Sequence, residues 1–567
     1  MLGIEILGTR FLFVIACRSR HSGCPLSHQL TSDLYVIGAV IRKNWSFGMA
    51  LLVTDGLQVE ALTTGRRLLE GVSISVEPGT MTMIVGQSGS GKSLTLRAIL
   101  GMLREDTFAV RGRIQFDGKE IDLRNRSRQR DVRPPSMAMI FQDPGAHLNP
   151  LMTIEEHMAE VFEICEGRRS SAEYSQRVRD MLAKMRFADP ERIAAAYPHQ
   201  LSGGQKQRAM IALALAVSPK LLLADEPTSA LDAMVQREIM DLLEQQRVET
   251  GLTVLMVTHD IGLALGLAQK IYVMNGGRIS DSFDPGALDS SLAKPETRRL
   301  IFSAPPSPTG SDDRDGASAV IRAEGLSKTF AKSNVAALEP ISLDITRGSV
   351  VAIVGESGSG KTTLGRLLVG LLPPTSGRFT VTGRRPAKAA RTKAIQMIFQ
   401  DPATALDPER PVRELLIETM KVNHVAGTES ERRERAIALL DQVGLPCSML
   451  DAKPMELSGG ERQRIAIARA LCAGPEVLIC DESVSALDPH IQREVIRLMS
   501  NLRRDLGLTI IFITHDLRLA QNFADEIVVL KSGKLVEAGP AEAVFANPSS
   551  NYTKELLAAM YPLPHGM

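Results

Sequence analysis

The sequence of 567 residues has no excess of either charge, since 66 Lys and Arg face 65 Asp and Glu for a formal net charge of +1. A broad basic coat for nonspecific nucleic-acid binding is excluded as a first reading. Cysteine is scarce: the six residues at 17, 24, 165, 447, 472 and 480 show neither close metal-ligand spacing nor the density of a disulfide scaffold. A reducing cytoplasm fits that usage. Long apolar runs are missing too. Phe11 to Cys17 (FLFVIAC) resembles the apolar part of an export signal but is too short to cross a bilayer, and no run of 18 apolar residues occurs elsewhere. Any membrane role must therefore come through a membrane-bound partner. Disorder as the main state is excluded by a composition that is 44% hydrophobic and 23% charged, and the length predicts several domains.

What is present is a repeat. A phosphate-loop pattern occurs at Gly86 to Ser93 (GQSGSGKS) and again at Gly355 to Thr362 (GESGSGKT), 269 residues later. LSGG begins at Leu201 and Leu457, acidic pairs stand at Asp225/Glu226 and Asp481/Glu482, and a histidine follows a β-rich run at His259 and His515, each pair offset by 256. Order and spacing recur, with 13 residues of difference arising between the phosphate loop and LSGG. The duplicated unit is thus a catalytic domain of roughly 250 residues rather than a short solenoid repeat. Residues 1–48 are expected to lie outside the folded core, as an extension from too early a choice of start. The first domain is expected at 49–303, a Pro/Gly/Ser/Asp-rich tether at 304–319 and the second domain at 320–567.

Apolar runs precede both phosphate loops (MTMIV from Met81, VVAIV from Val350) and helix-spaced segments follow them, so strand, glycine-rich turn and helix are predicted. Gly86, Gly89 and Gly91, with Gly355, Gly358 and Gly360, let the backbone N–H groups curl toward anionic phosphate. Lys92 and Lys361 are candidate charges for the β/γ phosphates, and Ser93 and Thr362 candidate hydroxyl ligands for Mg²⁺. Binding of ATP or GTP follows. LLLA and VLIC place Asp225-Glu226 and Asp481-Glu482 at the mouths of buried strands, with the Asp as the metal-side carboxylate and the Glu able to polarise an attacking water. Such a pair alone would be read as a helix cap or solvated strand end. Two pairs downstream of phosphate loops favour catalysis. His259 and His515 follow TVLMVT and TIIFIT, and their imidazoles can contact a γ-phosphate and respond to its loss. No Cys/His grouping supports zinc.

With LSGGQKQR at Leu201 to Arg208 and LSGGERQR at Leu457 to Arg464, the sequence resembles the ATP-binding-cassette ATPases over nearly everything from residue 49 onward. The resemblance implies an α/β fold: two tandem P-loop NTPase domains, each with an α/β core and a helical signature subdomain. It also implies ATP and Mg²⁺ as cofactors and head-to-tail pairing of the cassettes within the chain. Site one would comprise Lys92, Ser93, Gln142, Asp225, Glu226 and His259 with Ser458, Gly459 and Gly460. Site two would comprise Lys361, Thr362, Gln400, Asp481, Glu482 and His515 with Ser202, Gly203 and Gly204. In this scheme Gln142 and Gln400 serve both metal and catalysis. Physically, a serine hydroxyl and glycine backbone at a helix start can cap the helix and present donors to phosphate. Both halves retain the full set, so two competent sites are expected. SALD recurs at Ser229 to Asp232 and Ser485 to Asp488, where the family places communication between cassettes. Ser483 departs from Pro227 of half one and questions fine loop geometry. Phe330 is an aromatic base platform for half two, while QVEA at 58–61 offers none in half one, where looser adenine binding is expected.

QDPGAHLNPLMTI from Gln142 and QDPATALDPERPV from Gln400 resemble a pattern of bacterial oligopeptide, dipeptide and nickel importer ATPases, as does the tail ANPSSNYTKELLAAM at 546–560, with a degraded counterpart around Leu292 to Pro305. The cysteine cluster that those importers often carry near the C-terminus is missing, so an iron-sulfur centre is not expected. These likenesses imply an importer ATPase peripheral to the cytoplasmic face of the bacterial inner or plasma membrane. It would dock on two permease subunits beside Gln142 and Gln400 and act with a separate solute-binding protein. Peptide is the expected solute class, with nickel, glutathione or an opine open. A tandem-cassette ATPase acting on ribosomes or DNA is disfavoured by the balanced charge and the QDP segments, and no direct nucleic-acid partner is expected.

Overall fold

A computed structural model describes residues 50–121, 123, 136–167, 170–229, 231–287, 294, 297, 318–330, 335–383, 393–425, 427–485, 487 and 489–561. The expected extension at 1–48 and the tether up to residue 317 lie outside the described residues. Ala319, the last residue of that stretch, opens a strand. The chain separates into two compact units, one built up to Ala230 and from Glu238 to Ile301, the other from Leu231–Arg237 and from Phe302 to Tyr561.

The first unit contains β1 (Leu52–Ala61), β2 (Arg66–Val76), β3 (Met81–Gly86), β4 (Phe108–Phe116), β5 (Lys119–Ile121), β6 (Met137–Ile140), β7 (Leu221–Asp225), β8 (Thr253–Thr258), β9 (Lys270–Asn275) and β10 (Arg278–Phe283). They form an antiparallel sheet β2-β1-β4-β5 and a six-stranded sheet β10-β9-β3-β8-β7-β6, parallel except for β10. β3, β7 and β8 are buried along their whole length. That is why they read as unbroken apolar runs rather than alternating ones. Helix α1 (Lys92–Leu100) follows the phosphate loop. It packs Leu96 and Ile99 with Ile84, Leu223 and Val257 of the parallel sheet and Leu57 and Val72 of the antiparallel one.

The signature subdomain inserts α2 (Ile154–Glu166), α3 (Ser171–Lys184) and α4 (Gly203–Leu215) between β6 and β7. Each helix starts in a capping box, from Thr153 to Glu156, Ser170 to Glu173 and Ser202 to Gln205. The reciprocal bonds satisfy N–H groups that the first helical turn leaves without partners. Helix α5 (Ile261–Leu267) begins two residues after His259, capped by Asp260.

The second unit repeats the plan with β11 (Ala319–Phe330), β12 (Val335–Thr346), β13 (Val350–Val354), β14 (Ser376–Val381), β15 (Ile395–Ile398), β16 (Val477–Asp481), β17 (Thr509–Ile513), β18 (Glu526–Lys531) and β19 (Lys534–Pro540). The sheets run β12-β11-β14 and β15-β16-β17-β13-β18-β19, the latter parallel except for β19. Its helices include α6 (Lys361–Val369), α7 (Val412–Val422), α8 (Glu429–Gln442), α9 (Gly459–Leu471), α10 (Pro489–Leu506), α11 (Leu517–Phe523), α12 (Ala541–Ala546) and α13 (Asn551–Ala558).

Strand alternation divides this unit's interior in two. Val351 and Ile353 of β13 face a core with Leu326, Ile341 and Leu367, whereas Val350, Ala352 and Val354 belong to a second core with Phe512, Ile467 of α9 and Leu416 of α7. The sequence difference between halves also finds its place. Eleven of the 13 extra residues in half one fall between the phosphate loop and Gln142, where β4 is longer than β14 and β5 is added.

Candidate functional site

The carboxyl ends of the adjacent strands β3, β8 and β7 carry the phosphate loop, His259 and the Asp225-Glu226 pair, so sheet order gathers segments that are far apart in sequence. Ligand sites of open parallel sheets form outside such strand ends. In the first loop Lys92 Nζ donates to the carbonyls of Gly86 and Gln87 at 2.8 and 3.0 Å. Lys361 does the same with Gly355 and Glu356 at 2.8 and 2.7 Å. The glycines have different physical reasons. A Cβ at Gly86 would lie 2.2 Å from Met274 O, and one at Gly355 2.1 Å from Leu530 O, so these positions permit close packing on the neighbouring strand. Gly89 and Gly358 have open space around them but φ of +72° and +81°, so they serve the turn itself.

Ser93 Oγ donates to Asp225 Oδ1 at 2.6 Å, and Thr362 Oγ1 to Asp481 Oδ1 at 2.9 Å. Burial pushes both aspartates above the ordinary carboxylate value, opposed by that hydroxyl and by Arg97 or Arg366. A hydroxyl, a carboxylate and the amide oxygen of a nearby glutamine form a hard oxygen set that fits Mg²⁺, which binds through few protein ligands plus phosphate. Arg97 and Arg366 were not among the sequence candidates. Their identical position five residues after each loop lysine was the available signal.

Glu226 and Glu482 each bind a glutamine and a histidine. Gln142 Nε2 donates to Glu226 Oε2 at 3.3 Å, and His259 Nδ1 lies 3.0 Å from the same oxygen. In the second unit Gln400 Nε2 reaches Glu482 Oε2 at 2.9 Å while His515 Nδ1 lies 3.4 Å from Oε1. Burial pushes Glu226 up, but His259 and Lys92, whose Nζ is 3.8 Å from Oε1, outweigh it and leave the carboxyl below its ordinary value. Glu482 is lowered in the same way, burial being overcome by His515 and Lys361. The hydrogen bond to Glu226 raises His259; His515 is raised by Glu482 against the effect of burial. Both pairs therefore favour a carboxylate beside an imidazole that is readily protonated.

Sequence pattern did not reveal the backbone at these glutamates. Glu226 has φ +43° and Glu482 φ +47°, a left-handed conformation that costs a non-glycine residue about 1–2 kcal/mol. The neighbouring strand holds it, since Glu226 N–H donates to Val257 O at 3.0 Å and Glu482 N–H to Ile513 O at 2.9 Å. The turn continues alike in both halves, with Ser229 N–H and Ser485 N–H donating back to the glutamate carbonyls at 3.3 and 3.2 Å. Ser483 in place of Pro227 leaves this turn unchanged. Asp488 lies outside the described residues.

Ser202 and Ser458 cap their own helices rather than joining the cluster of their own unit. Ser202 N–H donates to Gln205 Oε1 at 3.0 Å, and Ser458 donates to Glu461 Oε2 from its N–H at 2.8 Å and from its hydroxyl at 2.7 Å. A Cβ at Gly460 would meet Ile491 at 2.7 Å, which gives that signature glycine a packing reason. Phe330 ends β11 on the surface with Lys328 Nζ 5.5 Å from its ring, and Ala61 closes the corresponding strand β1. Burial pushes the thiols of Cys472 and Cys480 up to about 12, so neither is a nucleophile at neutral pH.

Comparison with known proteins decides the family. The ABC transporter model matches residues 69–229 and 338–485, spanning both loops, both signatures and both acidic pairs. The chain belongs to the ABC transporter family. Among the relatives of this cassette protein, the peptidoglycan transport ATP-binding protein YejF of Agrobacterium fabrum is 38% identical over 515 residues, 87% of this chain and 93% of that one. An uncharacterized ABC transporter ATP-binding protein YejF of Escherichia coli K12 is 35% identical over 88% of this chain and 99% of its own. The glutathione import ATP-binding protein GsiA of E. coli K12 is 34% identical over 90% and 89%. The chain is thus a double-cassette ATPase coupled to transport, with two tandem P-loop NTPase domains. Among the described residues no helix is long and apolar enough to cross a membrane.

Proposed function

We propose that this cassette protein is the ATP-hydrolysing subunit of a membrane importer for a peptide or related small solute. The observation that carries the reading is the duplicated cluster of loop lysine, hydroxyl-aspartate pair and Gln–Glu–His group. Its relatives include proteins named for peptidoglycan transport and glutathione import, which supports a peptide-like solute. In the proposed mechanism Lys92 and Lys361, with the loop N–H groups, bind the β/γ phosphates. Ser93, Asp225 and Gln142, or Thr362, Asp481 and Gln400, would hold Mg²⁺, which when bound neutralises charge on the phosphate oxygens.

Glu226 and Glu482 orient the attacking water and accept its proton, with His259 and His515 holding each carboxylate in place. Ser458, Gly459 and Gly460 complete the site of the first loop, and Ser202, Gly203 and Gly204 that of the second, in a head-to-tail pairing within the chain. Phe330 supports the base in the second site. ATP bridges the paired surfaces and hydrolysis releases them, which drives two permease subunits fed by a separate solute-binding protein. The protein then sits peripherally on the cytoplasmic face of the membrane.

The test replaces the native gene by one carrying Glu226→Gln and Glu482→Gln and measures uptake of labelled di-, tri- and oligopeptides and of glutathione. Loss of uptake of one of these solutes, with the variant still bound to its permeases, is expected. Unchanged uptake of the whole panel, or cosedimentation with ribosomes in place of permeases, would overturn the reading.

A further inference from the structure

The C-terminal helix of the second unit reaches into its phosphate loop. Helix α13 is moored to β19 through Glu537, whose carboxylate accepts from Ser549 N–H and Oγ at 2.7 Å each and from Ser550 N–H at 3.2 Å. The first turn of α13 then carries Tyr552, whose side chain is buried. Lys531 Nζ stands 4.3 Å from its ring centroid, a cation–π contact that fixes the ring. The hydroxyl oxygen accepts from Glu356 N–H at 3.2 Å. Glu356 is the second residue of the loop, and its own carbonyl is one of the two that seat Lys361 Nζ. A tyrosine from the tail therefore holds one side of a residue whose other side positions the loop lysine.

The first unit has the mooring without the tyrosine. At the offset of 256 residues, Asp281 of β10 corresponds to Glu537 and likewise accepts from its tail, from Thr297 Oγ1 at 2.6 Å and Lys294 N–H at 3.4 Å. The same offset puts Glu296 at the position of Tyr552 and Asn275 at that of Lys531. Neither the phenol nor the cation beneath it has a counterpart by residue type. The loop lysine, the hydroxyl–aspartate pair and the Gln–Glu–His group recur in both units, so this is a specific difference between the surroundings of the two phosphate loops.

We propose that Tyr552 is a positioning residue for nucleotide binding in the second cassette: through the Glu356 peptide it sets the seat of Lys361, so the second loop's affinity for ATP depends on the docked C-terminal helix and the first loop's does not. The inference rests on the reading that the loops of Lys92 and Lys361 each hold ATP. An undocked tail then weakens one nucleotide site selectively, which makes the tail a point at which a bound partner could bias the two sites apart.

The experiment measures equilibrium binding of a fluorescent ATP analogue with Mg²⁺ to the full chain, in a Lys92→Ala background that leaves the second loop and a Lys361→Ala background that leaves the first. Tyr552→Phe keeps the ring and removes only the hydroxyl. Loss of one hydrogen bond predicts an affinity about three- to tenfold weaker in the Lys92→Ala background, with no change in the Lys361→Ala background. A purely structural role would lower the melting temperature without separating the two backgrounds. Equal affinity with and without the hydroxyl in the Lys92→Ala background, or equal losses in both, overturns the proposal. The double variant Lys92→Ala/Lys361→Ala tests the underlying reading separately, because undiminished binding there would show that the loops are not the nucleotide sites, whatever Tyr552 does.

Discussion

Replacing Glu226 and Glu482 by glutamine removes two carboxylates while conserving their size, and the structure indicates which contacts survive. In the first unit the glutamate accepts from Gln142 at 3.3 Å and faces His259 at 3.0 Å on one oxygen, so an amide turned with its oxygen that way keeps both contacts. In the second unit Gln400 and His515 address different oxygens at 2.9 and 3.4 Å, so the amide can present an oxygen to only one of them. Loss of a positioned base costs about 10²- to 10⁴-fold in rate, equivalent to about 2.7–5.4 kcal/mol of barrier. Lys92, 3.8 Å from Glu226 Oε1, loses a carboxylate partner, while its carbonyl seats and the hydroxyl–aspartate pairs are untouched, so nucleotide affinity is expected to change far less than hydrolysis. Single-turnover phosphate release from the purified full chain, alongside nucleotide binding, measures both quantities. Hydrolysis reduced less than about tenfold in the double variant, or reduced in step with binding, would refute the assignment of the glutamates as bases.

Three further outcomes follow from particular contacts. Because Glu482 has φ +47°, Glu482→Gly is expected to be more stable than Glu482→Ala by about 1 kcal/mol in chemical denaturation; equal midpoints would show that the turn relaxes in the alanine variant. The Glu537 carboxyl, which burial alone would raise, is held down to about 2 by its hydrogen bonds from the tail, against an ordinary 4.5. A folded-state value below the unfolded one stabilises docking fully above about pH 4.5 and loses that contribution as pH falls toward about 2, so the protection of α13 amides against hydrogen exchange, taken relative to their intrinsic rates at each pH, should fall over that interval. Glu537→Gln should abolish the dependence, and an unchanged profile in the variant would assign the acid response elsewhere. Phe512→Ala removes a fully buried ring that meets Phe523 edge-on at 5.4 Å, and about 3–5 kcal/mol of destabilisation is expected in denaturant melts; a loss under about 1 kcal/mol would mean that the core closes over the cavity.

Most of the site could be read in one dimension because its parts are local motifs. A glycine-rich loop, an acidic pair after a buried strand and a serine at a helix start each carry their chemistry within a few residues, and the repeat doubled every signal. Less local features were hidden. The left-handed backbone of Glu226 and Glu482 depends on a carbonyl of an adjacent strand, and φ leaves no mark on residue type when glutamate is required for its side chain. Gly86 and Gly355 are legible as loop glycines, but their packing role depends on Met274 and Leu530, nearly 190 and 175 residues away. Tyr552 stood in plain view within the tail, and nothing about its neighbours in sequence points to Glu356, 196 residues earlier.

The linear order of residues by itself determined that this chain carries two cassettes, which residue types recur at matched spacing in each, and that the halves differ at Ala61 and Phe330. Those are properties of composition at fixed spacing, set by local backbone geometry. Tertiary structure alone decided that Gln142 meets Glu226 across 84 residues, that Thr362 meets Asp481 across 119, and that the C-terminal helix touches one phosphate loop. The reason is the order of strands in the parallel sheets: placing β8 between β3 and β7, and β17 between β13 and β16, brings distant carboxyl ends side by side, and no spacing along the chain encodes that neighbourhood.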